Sequence, residues 1–504
     1  MNAKERVTDI VIVGGGTAGW MTAAMMAKLL ARGYRIRLVE SEEIGTIGVG
    51  EATIPSIKVF NAALGLDEDE LLRATQGTFK LGIEFVDWWR CGHSYIHGFG
   101  RIGQDWGILK CYQYWLRQHL AGSAPALGRY SINTVAPPRM KFMRSQPQMK
   151  DSPLADIAYA LHFDAGLYAA FLRRFSEQRG VIRTEGTVVR VAVDATSGHI
   201  TAIEIASGER ITGDLFIDCT GMRALLIGQT LGVGFEDWSR WLPCDRAVAV
   251  PSATDGKPIP MTRSIARPAG WQWRIPLQHR IGNGLVYSSH YLEDDAAEAQ
   301  LLANLDGPAT AAPRRVRFTA GKRRQMWSGN CVAVGLSSGF LEPLESTSIH
   351  LIQAGVVRLM RLFPHRGVNA AETSEYNRRC DFDYERIRDF LILHYHATQR
   401  DDSPLWQYCR TMSIPATLEE KLALFRENGR IFREGEELFA EESWLHVLFG
   451  QGILPHRYDP IVDQQQPDDI TRFLKDIERV IDRCVQVMPT HADFIAEHCR
   501  AGSL

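Results

Sequence analysis

A glycine pattern, Gly14-Gly-Gly16-Thr-Ala-Gly19, lies between an apolar run at residues 7–13 and an Ala- and Met-rich stretch at 17–30. It constrains the fold of this chain more than any other feature. A short apolar run reads as a buried strand and the stretch after the glycines as a helix, while a second apolar run at 35–40 closes a βαβ unit on Glu40. In that context the glycines permit a tight turn and let the backbone approach a pyrophosphate at the helix N-terminus. Glu40 stands 21 residues past Gly19, where a carboxylate accepts from ribose hydroxyls and disfavours a 2′-phosphate. The motif alone leaves FAD and NAD open.

At 504 residues the chain exceeds what one core supports, so two cooperating modules are expected. Lys plus Arg at 57 nearly balances Asp plus Glu at 59, which gives no global field to draw in nucleic acid or anionic lipid. The nine cysteines are scattered, odd in number and free of any CxxC, the pattern of a reduced cytoplasmic protein without a metal site. With no run of about 18 apolar residues, neither export nor membrane spanning is expected.

Residues 187–193, 200–205 and 214–219 read as strands separated by Ser197-Gly198 and Ser207-Gly208 turns, an antiparallel meander returning to the parallel sheet. The nucleotide module is therefore discontinuous in sequence. Stretches rich in Gly, Pro, Ser and Ala at 122–138, 251–270 and 306–313 read as loops or boundaries. After Phe363 the pattern turns helical, with Ile470, Phe473, Leu474, Ile477, Val480, Ile481 and Cys484 marking one amphipathic helix behind Pro467.

Further segments carry chemistry. Asp214-Leu-Phe-Ile-Asp218-Cys-Thr-Gly221 resembles the second nucleotide-contact segment of FAD enzymes of the glutathione-reductase and hydroxybenzoate-hydroxylase type. Without a second GxGxxG, a tightly held flavin lacking its own NAD(P)H domain fits best. Trp271-Gln-Trp273-Arg-Ile-Pro276 sets two indoles two residues apart, an apolar wall if the segment is extended. Ser346-Thr347-Ser348 precedes an apolar-periodic helix at 349–363, so free amides and a positive dipole end are available to an anion.

Five segments in this order carry a resemblance. They are the Gly14 to Trp20 loop, Gly48-Val49-Gly50-Glu51-Ala52-Thr53, Gly77-Thr-Phe-Lys80, the Gly270 to Pro276 wall, and Gly335-Leu336 through Leu341-Glu-Pro343-Leu-Glu345-Ser-Thr347-Ser348. The chain resembles flavin-dependent halogenases of the tryptophan-halogenase family over essentially its whole length. The resemblance implies an α/β fold, with an FAD-binding Rossmann-like core at 1–365 carrying insertions near 85–160 and 225–320, and a largely helical substrate-covering region at 366–504. It implies FAD held by Gly14, Gly16, Thr17, Ala18, Gly19, Glu40, Asp218, Gly335 and Leu336, with a strap of Gly48, Val49, Gly50, Glu51 and Ala52 across it. Thr347 and Ser348 would hold chloride or bromide through backbone amides, although the family often has glycine in place of Ser348. Trp271 and Trp273 would keep substrate from the flavin while passing a small oxidant.

By the same resemblance Lys80 is the catalytic lysine, and Glu345 its carboxylate partner, with Glu342 nearby. Hypohalous acid is small and indiscriminate, so selectivity needs a group that captures it: an ammonium can hydrogen-bond it, or a deprotonated amine can form a haloamine. His97, Phe99 and Trp444 match an aromatic pocket. Relatives that take free tryptophan clamp its amino-acid end with a tyrosine pair, and the stretch from Phe432 to Gly450 lacks that pair, which points to another indole-like aromatic. Reduced FAD would come from a separate NAD(P)H-dependent reductase, O2 would be consumed, and a homodimer is compatible. A flavin-dependent aromatic hydroxylase shares the fold and nucleotide motifs, but the tryptophan wall and Lys80 argue against it; Lys80, Glu345 and the halide-like helix end together argue against a non-catalytic flavin-binding protein.

Overall fold

A parallel sheet forms where the sequence is densest in Val, Ile and Leu. The structure is a computed structural model and describes residues 6–30, 33–42 and 50–502. Two units emerge, the first made of Met1–Gln76, Phe163–Arg240 and Phe318–Glu385, the second of Gly77–His162, Trp241–Arg317 and Arg386–Leu504.

In the first unit a six-stranded sheet runs in the order Trp327–Ser328, Cys331–Ala333, Leu215–Asp218, Asp9–Val13, Arg35–Glu40, Ile182–Glu185. Every neighbouring pair is parallel except the first, as apolar runs buried on both faces require. The strand Asp9–Val13 leads through the glycine turn into helix Thr17–Leu29, whose small side chains let it pack against helices Ala165–Glu177 and Ser348–Arg361. Strands Val188–Val193 and Ile200–Ile205 pair antiparallel as expected, but the third strand of the meander is Arg210–Thr212, while Leu215–Asp218 lies in the parallel sheet. Val11, Val13, Val39, Ile203, Phe216 and Leu226 close the core between these layers.

The second unit is built on a seven-stranded sheet in the order Arg314–Arg317, Arg246–Ser252, Ile281–Tyr287, Gly270–Pro276, Thr262–Arg267, Gly82–Val86, Ser94–Gly98. All pairs are antiparallel except Thr262–Arg267 with Gly82–Val86. One expectation changes here: residues 251–270 contain the strand Thr262–Arg267, because flanking partners on both sides satisfy a segment whose own composition reads as loop. From Ala370 onward the chain is mainly helical, and Pro467–Val487 buries Ile470, Leu474, Ile481 and Cys484 of the expected stripe, half-buries Phe473 and Ile477, and leaves Val480 exposed at the edge of that face. Among the described residues no helix is long and apolar enough to cross a membrane.

Alternation along Gly270–Pro276 sends Trp271 and Trp273 to one face and Gln272 and Arg274 to the other, where Asn304 carbonyl oxygen accepts from both. The register sets Trp273 opposite Gly284, and a Cβ built on that glycine would lie 2.0 Å from the indole ring. The glycine is what leaves room for the ring. Gly284→Ala is therefore expected to displace Trp273 and destabilise the protein by about 1–3 kcal/mol, read as a lower urea midpoint together with altered tryptophan fluorescence.

Three buried imidazoles bear on pH. Burial draws His350 and His491 from 6.5 to about 4 and His162 well below its ordinary value, the last also through the Lys80 charge. As the pH falls from 6.5 towards 4, the unfolded chain takes up protons that these native imidazoles refuse, so stability drops across that window, by at most about 3 kcal/mol per group. Urea midpoints measured at pH 7.5 and pH 5 check this: the midpoint at pH 5 is expected to be the lower.

Candidate functional site

The glycine turn of the first unit is shaped by close approach rather than by flexibility. Gly14 has φ +110°, and a Cβ there would meet the Cys219 carbonyl oxygen at 2.2 Å; at Gly19 it would meet the Gly14 carbonyl oxygen at 1.9 Å. Helix Thr17–Leu29 begins with no side-chain cap and no acidic residue in its first turn, an N-terminus of the kind that suits an anion. Glu40 ends its strand against this turn, close enough that a Cβ on Gly15 would overlap its carboxylate. Its Oε1 accepts from Arg183 Nε at 2.6 Å and its Oε2 from Trp20 Nε1 at 3.4 Å. Arg183 gave no sequence signal, since it lies on a different strand 143 positions away.

Asp218 is fully buried, and its carboxylate accepts from the amides of Thr220, Leu226 and Ile227 at 2.8–2.9 Å and from the Thr220 hydroxyl at 2.7 Å. It thus fixes the turn after its own strand. Gly335, at φ +75°, abuts the helix through Ala18, whose Cβ would lie 2.7 Å from one added to the glycine. Ser337 Oγ donates to the Asp218 carbonyl, joining this segment to the same turn. The glycine turn, Glu40, Asp218 and Gly335 are therefore gathered at the C-terminal ends of the parallel strands, where open α/β sheets hold ligands.

Gly48 and Val49 fall outside the described residues. Gly50–Ala52 is a short strand, and burial together with the Asp164 carboxylate raises Glu51 to about 7. Asp164 is itself engaged in capping helix Ala165–Glu177 through the amides of Gly166 and Leu167. Glu342 and Glu345 are both fully buried, and Ser346 takes a left-handed conformation at φ +59° that turns the chain into helix Ser348–Arg361. Thr347 is the N-cap of that helix but makes no side-chain cap bond, and its buried Oγ1 has no partner among the described residues.

In the second unit Lys80 ends the strand Thr78–Lys80 and is fully buried. Its Nζ sits 5.2 Å from the centre of the Phe99 ring, within cation–π range. Phe99 in turn lies 6.2 Å from His97, and His97 lies 5.8 Å from Phe390 and 6.3 Å from Phe439. Phe390 stacks on Phe439 at 3.9 Å and meets Trp444 edge-on at 4.9 Å. One continuous run of rings therefore leads from Lys80 to Trp444. Lys421 lies 4.3 Å over the Trp444 ring and pairs with Glu437 at 2.8 Å. Phe390 and Phe439 were not anticipated, because one is a mid-helix residue of Ala370–His396 and the other follows a charged loop.

Trp271 and Trp273 stand 6.1 Å apart and both are buried, with Trp88 6.3 Å beyond Trp271. Thr78, two residues before Lys80, donates its hydroxyl proton to the Pro276 carbonyl at 2.7 Å, which ties the lysine strand to the end of the tryptophan strand. Lys80 and Glu345 belong to different units.

These features can be set beside known proteins. Residues 9–467 match the family described as tryptophan halogenase. The chain is 49% identical to the structure of Xcc4156, a flavin-dependent halogenase from Xanthomonas campestris, with a TM-score of 0.96 over 99% of this chain and 100% of that one. It is 46% identical to BrvH, a flavin-dependent halogenase from Brevundimonas sp. BAL3, with a TM-score of 0.94 over 98% and 99% of the two chains. It is also 32% identical to the tryptophan 7-halogenase RebH of Lentzea aerocolonigenes, over 98% of this chain and 99% of that protein. A match of this extent to family, sequence and fold means that the chain belongs to the tryptophan halogenase family of flavin-dependent enzymes.

Proposed function

We propose that the protein uses reduced FAD, supplied by a separate NAD(P)H-dependent reductase, to make hypohalous acid from O2 and chloride or bromide, and that Lys80 and Glu345 direct this oxidant onto an electron-rich, indole-like aromatic. The observation that carries the reading is the fully buried Lys80, its ammonium against Phe99 at the head of a run of aromatic rings. A lysine without a task is seldom removed from water, because the ammonium loses its hydration.

FAD suits the first unit on its own geometry: the turn at Gly14 to Gly19 has no space for side chains, and the uncapped helix start suits a pyrophosphate. Bound there, the reduced flavin would supply the two electrons by which O2 converts halide into hypohalous acid and water. The free amides at Thr347 and Ser348 would hold the halide. Trp271 and Trp273, with bulk fixed by the sheet, would exclude an aromatic ring and admit a triatomic acid.

At the lysine, the ammonium would donate to the oxygen of hypohalous acid and polarise the oxygen–halogen bond. The ring attacks the halogen, water leaves with the ammonium proton, and the Glu345 carboxylate stabilises the ring cation and receives its proton. Free tryptophan fits this pocket poorly. The ammonium beside Trp444 is already paired with Glu437, and the neighbouring Phe390 and Phe439 offer an amino-acid zwitterion no polar atom beyond the backbone.

With FAD, a flavin reductase, NADH, O2 and indole, the expected product by mass is halogenated indole when bromide or chloride is present, with less turnover of free tryptophan. A hydroxylated product formed without halide would overturn the reading. Lys80→Ala is expected to lower halogenated product at least about a hundredfold while flavin reoxidation continues; equal loss of both would remove Lys80 from the substrate side.

A further inference from the structure

The strand that carries Lys80 is three residues long and pairs with its neighbour at only three positions, Thr78 with His162, Phe79 with Leu161 and Lys80 with Ala160. So short a ladder gives little hold on its own. Gly77 and Leu81 at its two ends are fastened by Gln278 and Pro260, and two buried histidines hold the strand between them. The two-residue period places Thr78 and Lys80 on one face, so His162 stands across from Thr78 and diagonal to Lys80, with the small Ala160 opposite the lysine.

Hydrogen-bond partners assign the protons of both rings. Thr78 Oγ1 gives its proton to the Pro276 carbonyl, so at 3.0 Å it can only accept from His162 Nδ1. Burial, with the Lys80 charge nearby, keeps His162 neutral, so Nε2 is the bare nitrogen and accepts from the Thr262 hydroxyl at 2.9 Å. His491 Nδ1 lies 2.8 Å from the Pro258 carbonyl and can only donate, while its Nε2 accepts the Phe79 N–H at 3.1 Å. Each imidazole is thus neutral, carries its proton on Nδ1 and has both nitrogens engaged. On the far face Phe79 is stacked on Phe142 at 4.2 Å and bordered by Tyr159 and Phe494.

We propose that His162 and His491 are positioning residues for Lys80, locking its strand sideways to Pro276 of the tryptophan strand and lengthwise to Pro258, so that oxidant is delivered to the aromatic ring rather than released. The proposal rests on the reading of Lys80 as the residue that takes up the oxidant. Neither histidine handles the oxidant itself. A lysine that strayed by an ångström would still receive hypohalous acid but would present it at the wrong distance, a fault that costs delivery and spares formation.

The test uses the whole protein with FAD and reductase, and reads two quantities: total hypohalous acid, trapped by a diketone scavenger without aromatic substrate, and halogenated indole per flavin oxidised. Thr78→Val, which deletes the hydroxyl at nearly constant volume, and His162→Phe are expected to leave oxidant formation within about twofold and to lower halogenated indole per flavin roughly tenfold. His491→Phe is expected to act in the same direction. His162→Asn keeps an N–H where Nδ1 stood and is expected to recover most of the loss. Should His162→Phe not fold, Thr78→Val carries the test alone.

An unchanged ratio of product to oxidant in Thr78→Val would overturn the proposal, as would nitrogen NMR showing the His162 proton on Nε2. Lys80→Ala separates the two ideas. If it still halogenates, the reading of Lys80 fails; if it is inactive while Thr78→Val and His162→Phe deliver normally, only the clamp fails.

Discussion

Keeping the Lys80 ammonium out of water is the constraint around which the second unit is organised. A buried cation tolerates no additional positive charge close by, and His162, diagonal to it across the ladder, is held neutral by burial and by the lysine itself. The face of the Phe99 ring meets the ammonium with its negative side, and Ala160 across the ladder leaves the long side chain its space. Neutral hydroxyl, imidazole and carbonyl groups at Thr78, His162, Thr262 and Pro276 fasten the strand that carries the lysine.

Steric relief by glycine is the second organising device, and it acts in both units. In the first, Gly14, Gly15 and Gly19 let a strand end, a helix start and the Glu40 carboxylate crowd together. In the second, Gly284 leaves a gap in one strand that is filled by the Trp273 ring of the next. Each glycine turns a crowded backbone into a defined surface: one is a tight strand-to-helix turn, the other a wall of indole.

The nucleotide half was largely legible in the sequence. Gly14 to Gly19, the strand Arg35–Glu40 and the meander before Asp218 rest on contacts within a few residues, and local periodicity reports such contacts well. The Thr347 cap was legible for the same reason, as a polar triplet before an apolar-periodic helix, although its hydroxyl turned out to cap nothing. Partners brought from afar were not legible. Arg183 reaches Glu40 from the next strand, Phe390 and Phe439 meet His97 across hundreds of positions, and the strand Thr262–Arg267 exists because two neighbours pair with it.

By itself, then, the sequence determined the fold class and the family, because each is carried by short motifs whose physics is local. Only the tertiary structure decided how the residues of those motifs are supported. Gly284 opposite Trp273, His162 against Thr78 and His491 against Phe79 are pairings across sheet register and distant helices, the last spanning 412 positions. No local pattern encodes them, since their geometry is fixed by which strands become neighbours and by the need of every buried donor and acceptor for a partner.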